Sequence, residues 1–341
     1  MILKTFGKRP ADDELRKVEA SSNYRDNSFK NLERTELFTG ESSTKILWKF
    51  LTKKNGAPRK PLPSVKTDLK NLPDDSPVIV WFGHSSYLIK INGKHILIDP
   101  VFSGYASPFS FTTKSFAGTD VYTVEDLPEI DVLLISHDHY DHLDYETVKQ
   151  LISKTQKVCT SLGVASHLLY WGFDRSKVTE FDWWNEQALF DDMRLTAVPA
   201  RHFSGRSFTR NKTLWSAFVL QTNNHNLFLG ADSGYGDHFK LIAEKFSSFD
   251  IAILECGQYN KAWHNIHMLP EETAQACIDL RAKVLMPVHW AKFSLSLHAW
   301  DEPIKRVSAK ADELKIKLTT PMIGEPVVID ELYPDKKWWK M

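Results

Sequence analysis

Eight consecutive residues, His137-Asp138-His139-Tyr140-Asp141-His142-Leu143-Asp144, constrain this chain more than any other stretch. The histidines and Asp141 stand at i, i+2, i+4 and i+5, a spacing that fits neither one helix face nor one strand face. It suits a short loop that closes its side chains around a point. Just before it, Asp131-Val-Leu-Leu-Ile-Ser136 is a β-branched apolar run of the kind that forms a buried strand. Just after it, Tyr145 to Ser153 reads as a helix, with Leu143, Val148, Leu151 and Ile152 available as an apolar face. The histidines therefore stand past the C-terminal end of a strand, where a rigid sheet can hold a reactive loop. Imidazole nitrogen and carboxylate oxygen are zinc ligands, and burying several histidines without a metal or partner is costly. A metal pair is the expected occupant; the alternative is a solvated histidine-rich turn.

His-x-His-x-Asp-His after an apolar strand resembles the signature of the metallo-β-lactamase superfamily. The wider string Ile135-Ser-His-Asp-His-Tyr-Asp-His-Leu-Asp144 resembles the bacterial relatives of the N-acylphosphatidylethanolamine-hydrolysing phospholipase D, which are similar in turn to the ascorbate-phosphate lactonase branch. The resemblance runs over about residues 75 to 330. It implies an α/β (α+β) fold, the four-layer αβ/βα sandwich, with metals at one edge between two sheets.

A metal pair needs more ligands than one loop supplies. Three further strand-like runs end in a suitable residue: Leu195-Thr-Ala-Val-Pro-Ala-Arg-His202, Asn226-Leu-Phe-Leu-Gly-Ala-Asp232 and Lys283-Val-Leu-Met-Pro-Val-His289. The family pattern, carried over, puts His137, His139 and His202 on one zinc, Asp141, His142 and His289 on the other, and Asp232 between them. Manganese or iron can occupy the same ligand types. Two such cations acidify a bridging water and clamp the oxygens of a phosphoryl transfer, so the expected nucleophile is a metal-held hydroxide that Asp141 also orients. No Gly-x-Ser-x-Gly elbow or Gly-x-x-x-x-Gly-Lys-[Ser/Thr] phosphate loop is present.

In Trp263-His-Asn-Ile-His-Met-Leu-Pro-Glu-Glu272, His267 stands before a helix that Pro270 can begin. A histidine before Pro-Glu-Glu reaches the active site in the phospholipase D-like relatives. His267 is thus expected to meet a phosphate oxygen or the leaving alkoxide, with His264 as the competitor and a backbone-capping role as the alternative. His84 either approaches the site or ties a sheet edge. Asp99 either fixes a ligating histidine or ends a strand.

Pro77 marks a change of texture. Residues 1–75 are polar and low in strand signals, and read as an N-terminal extension wrapped on a hydrolase domain at 76–341, with the connector Asn55-Gly-Ala-Pro-Arg-Lys-Pro-Leu-Pro63. Strands are expected at 78–82, 87–91, 94–98, 131–136, 156–160, 193–199, 214–221, 226–231, 250–255 and 283–288. Helices are expected near 144–153, 163–170, 237–246, 270–281 and 301–314. Within the extension, Ile46, Leu47, Phe50 and Leu51 fall at helical spacing beside Lys45, Lys49, Lys53 and Lys54. Such a helix packs on the domain, the favoured reading, or lies on an anionic membrane surface through residues 44–60.

Lys+Arg and Asp+Glu both number 43, which argues against nonspecific nucleic-acid binding. Cys159, Cys256 and Cys277 are too few and too far apart for a disulfide framework or a thiolate metal site. With no apolar leader after Met1 and no run of eighteen apolar residues, a cytoplasmic location, peripheral to a membrane at most, is expected. The expected activity is a dinuclear zinc phosphodiesterase acting on a small or phospholipid substrate, of the N-acylphosphatidylethanolamine phospholipase D kind. The alternatives are a zinc lactonase or carbonyl-ester hydrolase, and a metal-binding interaction module without catalysis.

Overall fold

The computed structural model describes residues 2–40 and 42–341. The chain opens with helices α1 (Ile2–Thr5) and α2 (Asp12–Glu19), a ribbon of β1 (Tyr24–Arg25) and β2 (Ser28–Phe29), and helix α3 (Ser43–Thr52). The first large sheet begins with β3 (Val78–Trp81), β4 (Tyr87–Ile91) and β5 (Lys94–Ile98). These are antiparallel, and Asn92 and Gly93, both at positive φ, make the tight turn between β4 and β5. The sheet continues in parallel through β6 (Ile130–Ile135), β7 (Thr155–Ser161) and β8 (Val178–Phe181), joined by helices α4 (Tyr145–Leu151) and α5 (Ala165–Trp171).

The second sheet repeats this plan. Antiparallel β9 (Glu186–Phe190), β10 (Met193–Pro199), β11 (Ser216–Thr222) and β12 (Asn226–Leu229) give way to parallel β13 (Ile251–Glu255), β14 (Val284–Val288) and β15 (Lys317–Leu318). Its crossovers are helices α6 (His238–Phe246), α7 (Pro270–Asp279) and α8 (Glu302–Leu314). Strand β16 (Pro326–Val328) returns to pair with β3, so each sheet has seven strands.

Alternation along β3 decides the layering. Ile79 and Trp81 face the second sheet, in one cluster with Phe218, Leu220, Phe228 and Ile253; Val78 and Val80 face outward, with Val148, Leu151 and Leu168 of α4 and α5. Phe239, Ile242, Ala276, Ile304 and Val307 bring α6, α7 and α8 onto the second sheet. The result is the expected mixed α/β sandwich of two sheets covered by helices. Strands β8 and β9 were not among the expected elements, nor was the ribbon β1–β2; each is short, and β9 begins with exposed polar residues.

On α3, Trp48 is 67% exposed and Phe50 39%, while Ile46 is half-buried; the side chains of Leu47 and Leu51 lie outside the described residues. Lys53, just past the helix, reaches Ser294 Oγ at 2.7 Å and the Ser296 carbonyl at 2.8 Å. Among the described residues, no helix is long and apolar enough to cross a membrane.

A carboxyl pair joins α2 to the edge of the first sheet. Burial and a hydrogen bond to Glu14 hold Glu180 on β8 up to about 7. Glu14, in spite of burial, stays below the usual range through that bond and through Lys17 and Arg175. Glu180 also accepts from the Gly163 amide at 2.7 Å and from Arg175 at 3.3 Å. The folded chain thus keeps a proton that the unfolded chain releases near 4.5, and stability from this pair declines as pH rises from there through about 7. In melting curves recorded across that window, Glu180→Gln is expected to flatten the decline relative to wild type; parallel curves for the two proteins would refute it.

Candidate metal centre

The loop 137–144 is fastened at both ends. Asp144 caps α4, accepting from the Glu146 amide, and takes the Thr147 hydroxyl. At the other end Asp99, just past β5, accepts from the Ser136 amide at 2.8 Å and hydroxyl at 2.5 Å, and its Oδ2 lies 2.8 Å from His142 Nδ1. A carboxylate on Nδ1 would leave Nε2 of His142 as the nitrogen free to ligate.

Around the loop the fold assembles two groups whose ligand atoms lie within 4.8 Å of one another, His137, His139, His202 and Asp232, and His84, Asp141, His142 and His289; a third such group, Asp232, Glu255, His267 and His289, overlaps them. His139 Nδ1 lies 2.9 Å from His137 Nε2 and 3.2 Å from His202 Nε2. The two carboxylate oxygens of Asp232 divide between the groups. Oδ2 lies 3.6 Å from His202 and 3.9 Å from His137, and Oδ1 lies 3.1 Å from both His142 and His289. His84 joins the second group through Asp141, with Nε2 2.9 Å from Oδ2.

The donor set fits a cation pair. His289 Nε2 is buried with no hydrogen-bond partner, a costly state that metal ligation would relieve. Burial, and then the neighbouring histidines, push His137 and His289 well below the usual histidine range. Burial does the same for His202. These three are held toward the neutral, ligating form, whereas Asp232 and Asp141 hold His142, against burial, well above the usual range. Asp232 is held at about 2 in spite of burial, chiefly by His142.

His267 faces the same space. Its Nδ1 is 2.6 Å from Glu255 Oε2, and Glu255 Oε1 accepts from the Ser233 and Met268 amides, both at 3.0 Å. Against burial, Glu255 raises His267 to about 9; burial raises Glu255 to about 7. With Nδ1 engaged, Nε2 is the nitrogen available to the cavity. Glu255 ends β13 and was missing from the expected site residues, although the strand-end rule that picked out Asp232 and His289 covers it equally well. His264, the competitor of His267, is not among the residues that line this space. It is exposed, its Nδ1 meets the Lys261 carbonyl at 3.1 Å, and the turn at Lys261–Trp263 carries it outward.

A cavity of about 280 Å³ opens over these groups. His139, Asp141, Asp232, Gln258, His267 and His289 supply its polar lining, and Phe38, Phe203, Trp263, Ile266 and Leu295 its apolar walls. The backbone around it is strained. His84, Asp99, Gln258, His289 and Ala291 all hold φ between +40° and +65°, which L-residues other than glycine rarely adopt.

Comparison with known proteins agrees with this geometry. The profile of the beta-lactamase superfamily domain matches residues 94–290, well over half of the chain. The chain belongs to the beta-lactamase superfamily. Within it, the chain is 36% identical over 333 residues to an uncharacterized protein of Mycobacterium tuberculosis, covering 95% of this chain and 88% of that one. It is 32% identical over 262 residues to the mitochondrial N-acyl-phosphatidylethanolamine-hydrolyzing phospholipase D of Saccharomyces cerevisiae, covering 73% of this chain and 55% of the yeast protein. Among solved structures, the metallo hydrolase Igni18 of Ignicoccus hospitalis superposes with a TM-score of 0.59 at 18% identity, over 75% of this chain and all of that one. This beta-lactamase superfamily member is therefore a metallo-β-lactamase-fold hydrolase with His/Asp clusters able to bind metal.

Proposed function

We propose that the chain is a dinuclear metal-dependent phosphodiesterase whose substrate is amphiphilic, an N-acylphosphatidylethanolamine being the leading candidate. The observation that carries this reading is Asp232, whose two oxygens divide between two histidine groups on the floor of an apolar-walled cavity. In this reading His137, His139 and His202 hold one metal, Asp141, His142 and His289 the other, and Asp232 spans them. Zinc, or manganese or iron on the same ligands, would polarise a phosphoryl oxygen and acidify water.

The chain's own groups do the rest. His84 donates to Asp141 and fixes the direction of that carboxylate. His267, oriented by Glu255, holds a proton on Nε2 for a phosphate oxygen or the departing alkoxide. Phe38, Phe203 and Trp263 exclude water from one side. A cavity of about 280 Å³ takes a phosphodiester head group but not its acyl chains, so the chains lie outside the mouth. Leu295 lines the cavity, Lys53 at the end of α3 bonds to Ser294 and Ser296 on either side of it in sequence, and Trp48 and Phe50 of α3 are exposed, which supports a role for α3 in meeting the chains. Peripheral membrane contact through residues 44–60 follows from the same reading. The names of the yeast relative and of a Caenorhabditis elegans N-acyl-phosphatidylethanolamine-hydrolyzing phospholipase D, 29% identical over 267 residues, support the substrate class.

The test is turnover of metal-loaded protein on three panels: N-acylphosphatidylethanolamine vesicles, bis(p-nitrophenyl) phosphate and lactones. Release of phosphatidic acid from the vesicles is the expected result. Lactone turnover with both phosphodiesters untouched would replace this reading with a carbonyl-ester hydrolase on the same metals.

A further inference from the structure

His202 stands outside the sheet. It lies in the long irregular connection between β10, which ends at Pro199, and β11, which begins at Ser216, and no strand neighbour pairs with its backbone. Its ring is fixed from one side, with Nδ1 2.8 Å from the Ile266 carbonyl, which leaves Nε2 toward the first histidine group. Its backbone is held by a side chain from the far end of the sequence. Asn31 Nδ2 donates to the His202 carbonyl at 2.8 Å, and the His202 amide donates to Asn31 Oδ1 at 3.0 Å. One carboxamide thus plays both parts of a missing ladder partner. The buried Trp215 ring braces it, its Nε1 donating to the same Oδ1 at 3.1 Å and to the Ala200 carbonyl at 3.0 Å. The next residues of the arm grip the neighbouring position: Thr35 Oγ1 and the Arg34 carbonyl both accept from Arg201.

We propose that Asn31 is a positioning residue of the metal centre, and that the N-terminal arm is thereby a working part of it. The inference rests on the reading of His202 as a ligand. Asn31 lies outside residues 94–290, the part that matches the superfamily, so the arm supplies from elsewhere what the irregular connection lacks. Losing the clasp frees the His202 backbone while its ring keeps its chemistry. The consequence falls on affinity for the metal held with His137 and His139.

The experiment is zinc titration against a competing chelator, with melts of the stripped and zinc-loaded forms, for wild type, Asn31→Ala and Ser21→Ala. Ser21→Ala loosens the arm elsewhere, at the 2.6 Å bond from Ser21 Oγ to Asp182. In Asn31→Ala, one of two zincs is expected to bind about 10–100-fold more weakly, the range for lost partners of metal ligands. Its melting shift on zinc loading shrinks accordingly, while the stripped form changes little and Ser21→Ala keeps both zincs. Wild-type affinity in Asn31→Ala, with equal losses of stability in the stripped and loaded forms, would overturn the proposal, leaving Asn31 a packing residue. Equal zinc loss in Ser21→Ala would overturn it in favour of general arm docking. A wild type that binds no zinc is a distinct failure, which removes the ligand reading and this inference together.

Discussion

Replacing Asp232 by alanine is expected to cost more activity than any other single change in the chain. Its carboxylate lies between the two histidine clusters, 3.1 Å from His142 and His289 on one side and 3.6 Å from His202 on the other. A metal pair contributes several kcal/mol of transition-state stabilisation. At 1.36 kcal/mol per power of ten, turnover should fall by about three orders of magnitude or more. Metal content should fall with it, because the buried histidines lose their shared negative charge. Asp232→Asn, which keeps the shape and removes the charge, should resemble the alanine variant. Metal analysis beside turnover decides the matter: a variant that retains both metals and wild-type rate would show that Asp232 does not span them.

The second large effect belongs to His267, and its signature is selectivity among leaving groups. A positioned general acid is worth about 10²–10⁴-fold when the leaving group is a poor one. An alkoxide needs the proton that His267 carries; a nitrophenolate leaves without it. His267→Ala is therefore expected to lose about two orders of magnitude or more on an alkyl phosphodiester, with KM little changed, and far less on bis(p-nitrophenyl) phosphate. Equal losses on both substrates would assign His267 to binding a phosphate oxygen instead. Glu255→Gln should lose activity in the same direction but less, since a glutamine oxygen can still accept from Nδ1 while lacking the charge that favours the protonated ring.

The metal loop could be read from the sequence because its chemistry is written in adjacent residues, and adjacency survives folding unchanged. Asp232 and His289, which the fold brings to the same place, were flagged through a physical rule: parallel strands present their C-terminal ends at one edge; His202, after the antiparallel β10, was flagged only by its place after a strand-like run. The same rule covers Glu255, which went unread because the search along strand ends asked for histidine and aspartate alone. His264 and His267 are three residues apart in similar surroundings, and only the turn at Lys261–Trp263 tells them apart. Asn31 carried no local signal. An asparagine in a polar stretch looks like any turn former, and its meaning comes from a partner 171 positions away. Strands such as Val78–Trp81 read as unbroken apolar runs because both of their faces are buried, so the sequence showed the strand without showing which side met the second sheet.

The left-handed backbone at His84, Asp99, Gln258, His289 and Ala291 bears on how this protein could change. Each such residue costs about 1 kcal/mol or more relative to a relaxed conformation. Glycine would remove the cost at each position, and at His84, Asp99 and His289 it would also remove the side chain that faces the cavity or steadies its loop. Improvement of stability and improvement of catalysis therefore pull in opposite directions at these positions. A hardier version of this protein would have to gain its stability in the two large cores, away from the His/Asp clusters.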